Sequence, residues 1–481
     1  MQFLSLVLMV IALSSSAAWA EVRTITATGE YRMGDNDTRT DAKRLALQDA
    51  KRLALEKTGT YLESITEVKN FQLGRDELRA YTAGIAEVTE QQTRSTMEGE
   101  TTVVRVDVTC KIDTDIVTRQ IDALRKNETA KTELLAARQE ADRLRQENDA
   151  FRQSLAAAKS KAEIETLAQK RREGLTDQDV NSLLGQAWVA LAGSDEALTV
   201  GSSSAAGRAR ARSLIEQALA LDASSSRAHS NMGALLAEEG NLDGAIAEFR
   251  TALRLKPDDA VAHGRLGIAL TAKGDQDGAI AEYRTALRLK PDDAGVHNSL
   301  GIALHTKGDV EGAIAEFRTA IRLKPDYAGA HNNLGIALTA KGDLDGAIAE
   351  YRTAICLKPD YAIAHHTLGN ALRAKGDRDG AIEEFRAALL LKSDLVEARV
   401  SLGATLLDKG YLNKAIVEYR EALRLKPDHA HAHLGLGFAL AAEGQRSEAA
   451  REFREYLRLT PDTPTNRPWI EKTRAALREL E

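Results

Sequence analysis

The chain has 481 residues, too many for one compact core. Its 65 basic and 71 acidic residues leave a net charge of −6, which argues against a nucleic-acid or polyanion binder. Aromatics make up only 4%, and alanine and leucine supply most of the apolar content, a composition suited to close-packed helices rather than strands.

Residues 1–20 read as a secretory signal peptide. Phe3 to Leu13 form an apolar run, and Ala18-Trp19-Ala20 places small residues where a signal peptidase looks, so cleavage before Glu21 is expected. No cysteine follows the run, so no lipid-modified N-terminal Cys is expected. No later stretch is apolar enough to cross a bilayer. The expected location is periplasmic or secreted, with no integral membrane segment after cleavage.

Residues 21–114 read as a small α+β domain. Val22 to Thr28 alternate apolar and polar, as a strand does. Thr38 followed by Asp41 suggests a helix start, and Ala42, Leu45, Ala46, Asp49, Ala50, Leu53 and Ala54 recur at helical spacing. Ile85 to Met97 and Thr101 to Ile112 read as a hairpin, with Val104, Val106, Val108, Cys110 and Ile112 on one face. With its run from Ala42 to Arg52, this arrangement resembles the N-terminal domain of flagellar assembly protein T and related small envelope proteins. The resemblance implies an envelope setting.

Residues 115–176 read as a long helix or coiled coil. Within it, positions 134–162 carry a heptad-like seam with Asn148 inside it, and a homodimer through that seam is one expectation. A single solvated helix is the other. Residues 177–222 read as a degenerate first repeat. Leu184-Gly185 and Ala211, Ile215 and Ala218 suggest its two helices, and the insertion between them carries Gly201-Ser202-Ser203-Ser204.

From residue 223 to 460 the chain repeats itself. Pro257, Pro291, Pro325, Pro359, Pro427 and Pro461 keep a register of 34 residues, with Ser393 at the missing beat. Such a period marks a solenoid of small helical units. Seven units start at Ser226, Ala260, Ala294, Ala328, Ala362, Val396 and Ala430. Each has a Gly at its eighth residue (Gly267, Gly335), a second Gly seven residues on (Gly274, Gly342), and then an Ala and an aromatic (Ala279, Tyr283). The first glycine lets two helices approach, the second ends a helix in the left-handed region, and the aromatic fills the gap between units. Asp243, Asp277 and Asp345 are expected to cap the second helix. Residues 461–481 read as a C-terminal capping helix over the last apolar face.

These residues match the tetratricopeptide repeat. The likeness implies a mainly α fold, a superhelical stack of helix pairs preceded by a long helix and a small α+β domain. The stretches Asn332 to Gly335 and Asp345 to Tyr351 are similar to the repeats of O-linked N-acetylglucosamine transferase, although that family's asparagine ladder reaches only Asn231 and Asn333. The resemblance implies a concave groove lined by the second, fifth, sixth, ninth and twelfth residues of each unit. On these positions the candidate partner-binding residues are Arg227, Asn231, Arg265, Asn298, His305, Asn332, Asn333, His366, Asn370 and Arg373.

Six histidines recur at the fourth residue of their units, where a packing role is expected, and Arg399 breaks the series. His429, His431 and His433 are the one local cluster that could bear on a divalent ion, without an obvious completing ligand. No protease, phosphate-loop or nucleophile motif is found, so no catalytic residue, metal or cofactor is assigned. The expected function is a non-catalytic interaction scaffold of the bacterial cell envelope that binds a protein or peptide. The alternatives are an accessory arm of a glycosyltransferase-like system, or an assembly factor for a surface machine such as a flagellum or polysaccharide exporter.

Overall fold

The computed structural model describes residues 22–33, 87–98, 101–113, 161–192 and 205–480, most of 39–57, and scattered positions from 139 to 154. The expected leader, the hairpin turn at 99–100 and the seam positions from 134 to 158 lie outside these residues. The chain divides into two compact units, Met1–Asp258 and Asp259–Glu481.

In the first unit, strands β1 (Val22–Arg32), β2 (Glu87–Glu98) and β3 (Thr101–Asp113) form an antiparallel sheet in the order β1-β3-β2. Strand β1 runs past the expected end at Thr28, and Tyr31 pairs with Val104. Val104, Val106 and Val108 turn to one face, as their alternation requires, and bury against Ala42, Ala46, Ala50 and Ala54 of the helical stretch within 39–57. Gly29 permits the contact: a Cβ there would lie 2.1 Å from the carbonyl oxygen of Ala46.

Helix α1 (Lys161–Ala192) runs without a break across the boundary drawn at residue 176, so the long helix and the first repeat share an element. No proline interrupts it, and the apolar side chains after 179 have a partner to bury against. Leu184 and Trp188 pack with Ala211 and Ile215 of α2 (Ala205–Leu221) and with Met232 of α3 (Ser226–Glu238). The sheet module is fastened here by an ion pair of 2.5 Å between Arg44 and Asp179. Helix α4 (Leu242–Leu255) completes the unit, its Phe249 ring lying where a Cβ on Gly233 would fall, at 2.8 Å.

The second unit holds six helix pairs: α5 (Ala260–Lys273) with α6 (Gln276–Leu289), α7 (Ala294–Thr306) with α8 (Val310–Leu323), α9 (Ala328–Lys341) with α10 (Leu344–Leu357), α11 (Ala362–Lys375) with α12 (Arg378–Leu391), α13 (Val396–Asp408) with α14 (Leu412–Leu425), and α15 (Ala430–Glu443) with α16 (Arg446–Leu459). Helix α17 (Arg467–Leu480) closes the end, with Ile470 buried against Leu434, Phe453 and Tyr456.

One contact recurs in every pair. The aromatic ring of the second helix lies on the bare face of the glycine in the first. A Cβ on Gly335 would sit 2.5 Å from the Tyr351 ring, and one on Gly301 would sit 2.6 Å from Phe317. The aromatic therefore seals its own helix pair, not only the gap between units as the sequence suggested. It also faces the next unit in places: a Cβ on Gly435 would meet the Tyr419 ring at 2.3 Å. The second glycine of each unit has positive φ, as at Gly342 (φ 88°), where a left-handed residue ends the helix.

The caps differ from expectation. Asp275 and Asp343, two residues ahead of Asp277 and Asp345, accept the free amides of Gly278 and Gly346 at 2.9 Å. Asp277 and Asp345 instead pair with Lys307 and Lys375 of the following unit. The side chain that accepts from N3 must stand at the N-cap, and the sequence places an Asp at both positions.

Gly335→Ala should force the Tyr351 ring aside and cost about 1–3 kcal/mol, the usual range for overpacking. Neighbour-only coupling keeps the damage local. Hydrogen exchange should accelerate in α9 and α10 while α15 and α16 stay protected. Uniform acceleration would contradict this.

Candidate functional site

The first helices of successive pairs in the second unit share an exposed face, and side chains cross it from unit to unit. The rule is fifth residue to next sixth residue. Asn333 Nδ2 donates to Asn298 Oδ1 at 3.0 Å, and Thr367 Oγ1 donates to Asn332 Oδ1 at 2.8 Å. His366 Nε2 lies 3.2 Å from Ser401 Oγ. At the twelfth residue Arg373 pairs with Asp408 of the next unit at 3.3 Å.

These bonds separate the candidate residues. Asn298 and Asn332 are buried, the latter only 2% exposed, and they hold the ladder from beneath. Asn333, His366 and Arg373 are half-buried at its surface, and Asn370 is exposed. Arg265 and His305 stand half-buried on the same series of helices. In the first unit Asn231 is buried, and Arg227 donates to Asn181 Oδ1 of α1 at 3.0 Å. Expecting an open floor at the fifth residue overlooked that neighbouring first helices approach closely enough to cover it.

His366 is held neutral: burial pushes its imidazole below the ordinary value, with Glu397 opposing weakly. Asn370 Nδ2, 3.1 Å from Nε2, donates to that nitrogen. This fixes Nε2 as an acceptor and orients the ring along the ladder.

On the same helices the recurring histidines do more than pack. In each, Nδ1 faces a glutamate 19 residues on: His263 to Glu282 at 2.6 Å, His331 to Glu350 at 2.7 Å, His433 to Glu452 at 2.6 Å. In several, Nε2 faces the carbonyl six residues back, as in His297 to Pro291 at 3.0 Å and His433 to Pro427 at 2.9 Å. One imidazole thus ties first helix, second helix and entering turn together. Where Arg399 replaces His, its guanidinium makes the same two links, to Glu418 Oε2 at 3.0 Å and to the Ser393 carbonyl at 2.9 Å. The Glu standing in fixed register with each His was the signal available in the sequence.

Of the remaining histidines, His429 and His431 stack edge to face with ring centroids 6.3 Å apart. His429 Nδ1 accepts from the amide of Ala432 at 3.2 Å and caps α15. Among the described residues no group of three metal-ligating side chains converges. No described helix is long and apolar enough to cross a membrane.

Tetratricopeptide-repeat family models match residues 205–260, 267–308, 303–339, 335–376, 362–395 and 403–444. These stretches are tetratricopeptide repeats, a module that as a rule binds protein or peptide partners without catalysis. No curated protein matches the chain. Among solved structures, MamA shares 29% identity over 34% of this chain and 95% of its own, with a TM-score of 0.32. YrrB, described as a TPR protein with an unusual peptide-binding site, shares 23% over 38% of this chain and 95% of its own, at 0.33. PilF from Pseudomonas aeruginosa shares 19% over 43% of this chain and 95% of its own, at 0.39.

Both His433 nitrogens face acceptors, so the doubly protonated ring is the form that satisfies them. The hydrogen bond to Glu452 raises its pKa from the ordinary 6.5, with burial opposing and the Pro427 carbonyl assisting. A raised folded-state pKa stabilises fully below the ordinary value and fades as pH climbs through the raised one. Hydrogen exchange corrected for intrinsic rates should therefore show α15 and α16 opening more readily at pH 9 than at pH 6. His433→Arg, which stays charged as Arg399 does, should flatten that dependence; an unchanged dependence would contradict the assignment.

Proposed function

We propose that this chain is a non-catalytic interaction scaffold of the bacterial cell envelope that captures a protein or peptide on the first-helix groove of its repeats. The observation that carries the reading is the series of three rungs between successive first helices, from Asn298 to Ser401. It is a run of amide, hydroxyl and imidazole groups held in fixed orientation by one another. Fixed polar groups can bind a peptide backbone without first being ordered, which lowers the entropy cost of association. Small residues at the second position (Gly295, Gly329) admit a backbone closely.

The candidate contact residues are Arg227, Asn231, Arg265, Asn298, His305, Asn332, Asn333, His366, Asn370 and Arg373. Of these, Asn333, Asn370 and Arg373 offer the accessible contacts; Asn298 orients Asn333, and Asn332 orients Thr367 beside them. The envelope setting rests on the apolar leader of residues 1–20, and a docking role for the α+β module rests on its likeness to envelope proteins. Homodimerisation through residues 134–162 belongs to the same proposal.

Asn332→Ala with Asn333→Ala, made in the full chain, should weaken capture of the native partner by about tenfold, the effect of losing about 1.4 kcal/mol. Crosslinking in the native cell followed by affinity measurement on the purified pair gives the readout, with circular dichroism confirming unchanged helicity. Capture at undiminished affinity would overturn the groove assignment.

A further inference from the structure

The sheet of the first unit has two edge strands, and they are finished differently. On β1 the Lys57 ammonium donates to the Thr26 carbonyl at 2.9 Å, and Ile25 packs against the cluster that holds Leu184 and Trp188. A lysine on the edge and a covering element are both established ways of blunting a strand. Strand β2 has neither among the described residues. It is 12 residues long, and β3 is its one strand neighbour. Every residue from Glu90 to Glu98 is exposed. Gln91, Thr93 and Ser95 share the face of Val104, Val106 and Val108, yet the alanines that bury those valines leave them open to solvent. Such an edge is a row of backbone groups ready for one more strand.

The charges on β2 select that strand. In an antiparallel pair, directly opposite residues turn their backbone groups the same way. A strand that meets its own copy therefore pairs residues of like parity, and the two-fold axis passes through one residue. The bulge between Val88 and Glu90 limits the regular stretch to 90–98. Within it, two axes oppose unlike charges. With the axis at Gln92, Glu90 of each copy faces Arg94 of the other. With the axis at Thr96, Arg94 faces Glu98, but Arg105 already holds Glu98 at 2.6 Å and Thr96 at 3.1 Å. An axis at Arg94 would set Arg94 against itself and Glu90 against Glu98. The Gln92 axis also suits Arg94, whose side chain is 70% exposed and meets its own Asp107 at 3.2 Å. That guanidinium would lie between two carboxylates.

We propose that β2 pairs antiparallel with β2 of a second copy of this chain, about a two-fold axis at Gln92. The contact joins two sheets into one of six strands, in the order β1-β3-β2-β2-β3-β1. Its outer edges are the two blunted β1 strands, so the assembly closes at two copies. This interface is independent of the groove reading, and the failure of either leaves the other standing.

The test uses the full chain. Gln92→Cys places a thiol on the axis, where opposite Cα atoms stand about 4.5–5.5 Å apart, within disulfide reach. Ser95→Cys puts its two thiols six residues apart along the strand, about 20 Å. Under a mild oxidant, Gln92→Cys should form a covalent dimer at least about tenfold faster, since only that thiol meets the reach a bridge requires. Sedimentation velocity gives a second readout. Glu90→Arg and Arg94→Glu each oppose like charges and should each weaken self-association about tenfold. Mixed in equal amounts, the two variants oppose unlike charges again at both places and should restore the dimer, which also shows that each is folded. A monomeric unaltered chain, equal crosslinking at the two cysteines, self-association indifferent to Glu90→Arg, or no recovery on mixing would each overturn the proposal.

Discussion

The contact on which the rest depends is an aromatic ring lying on a glycine. In each helix pair the ring occupies the volume that a Cβ would need, so the two helices meet face to face at one fixed place. That place sets which residues of the first helix turn inward and which remain on the surface. Leucines at the seventh residue, such as Leu334, and alanines such as Ala347 are then buried without choice. The binding face is what this packing leaves over.

Neighbouring units are joined by a second layer of interactions that is polar and directional. The ladder from Asn298 through Asn333, and from Asn332 through Thr367, aligns adjacent first helices along the groove. The rows from Lys307 to Asp277 and from Lys375 to Asp345 link each first helix to the preceding second helix. Pairs as exposed as these contribute little stability singly, so their value lies in repetition and register. The imidazole clasp lies between the two layers, within each unit. Its reproduction by Arg399 over a carbonyl that belongs to Ser393 instead of proline shows that the link is chemical, not a matter of ring packing.

The helices were legible because their physics is local. A period of 34 residues, a Gly that must be left-handed and a Pro that cannot extend a helix are each readable without knowing a neighbour. The alternation of Val104, Val106 and Val108 was readable for the same reason. What sequence reading missed depends on the approach of separate segments. Burial of Asn298 and Asn332 follows from the next unit lying against them, and a single unit gives no hint of it. The engagement of Asp277 by Lys307 competes with a capping role that local rules favour equally. The Glu partners of the histidines were in view at constant spacing, yet a residue standing where tryptophan is common invited a packing explanation. In the first unit the boundary at residue 176 dissolved because α1 continues wherever apolar side chains find cover, and composition alone does not show where cover begins.

The central claim is that the first-helix face, and not the outer second-helix face, receives the partner. Hydrogen–deuterium exchange of the full chain with and without its crosslink-identified native partner measures this directly. The account predicts added protection in α7, α9 and α11, with α8, α10 and α12 unchanged. Protection concentrated on the second helices, or confined to the sheet module, would contradict it.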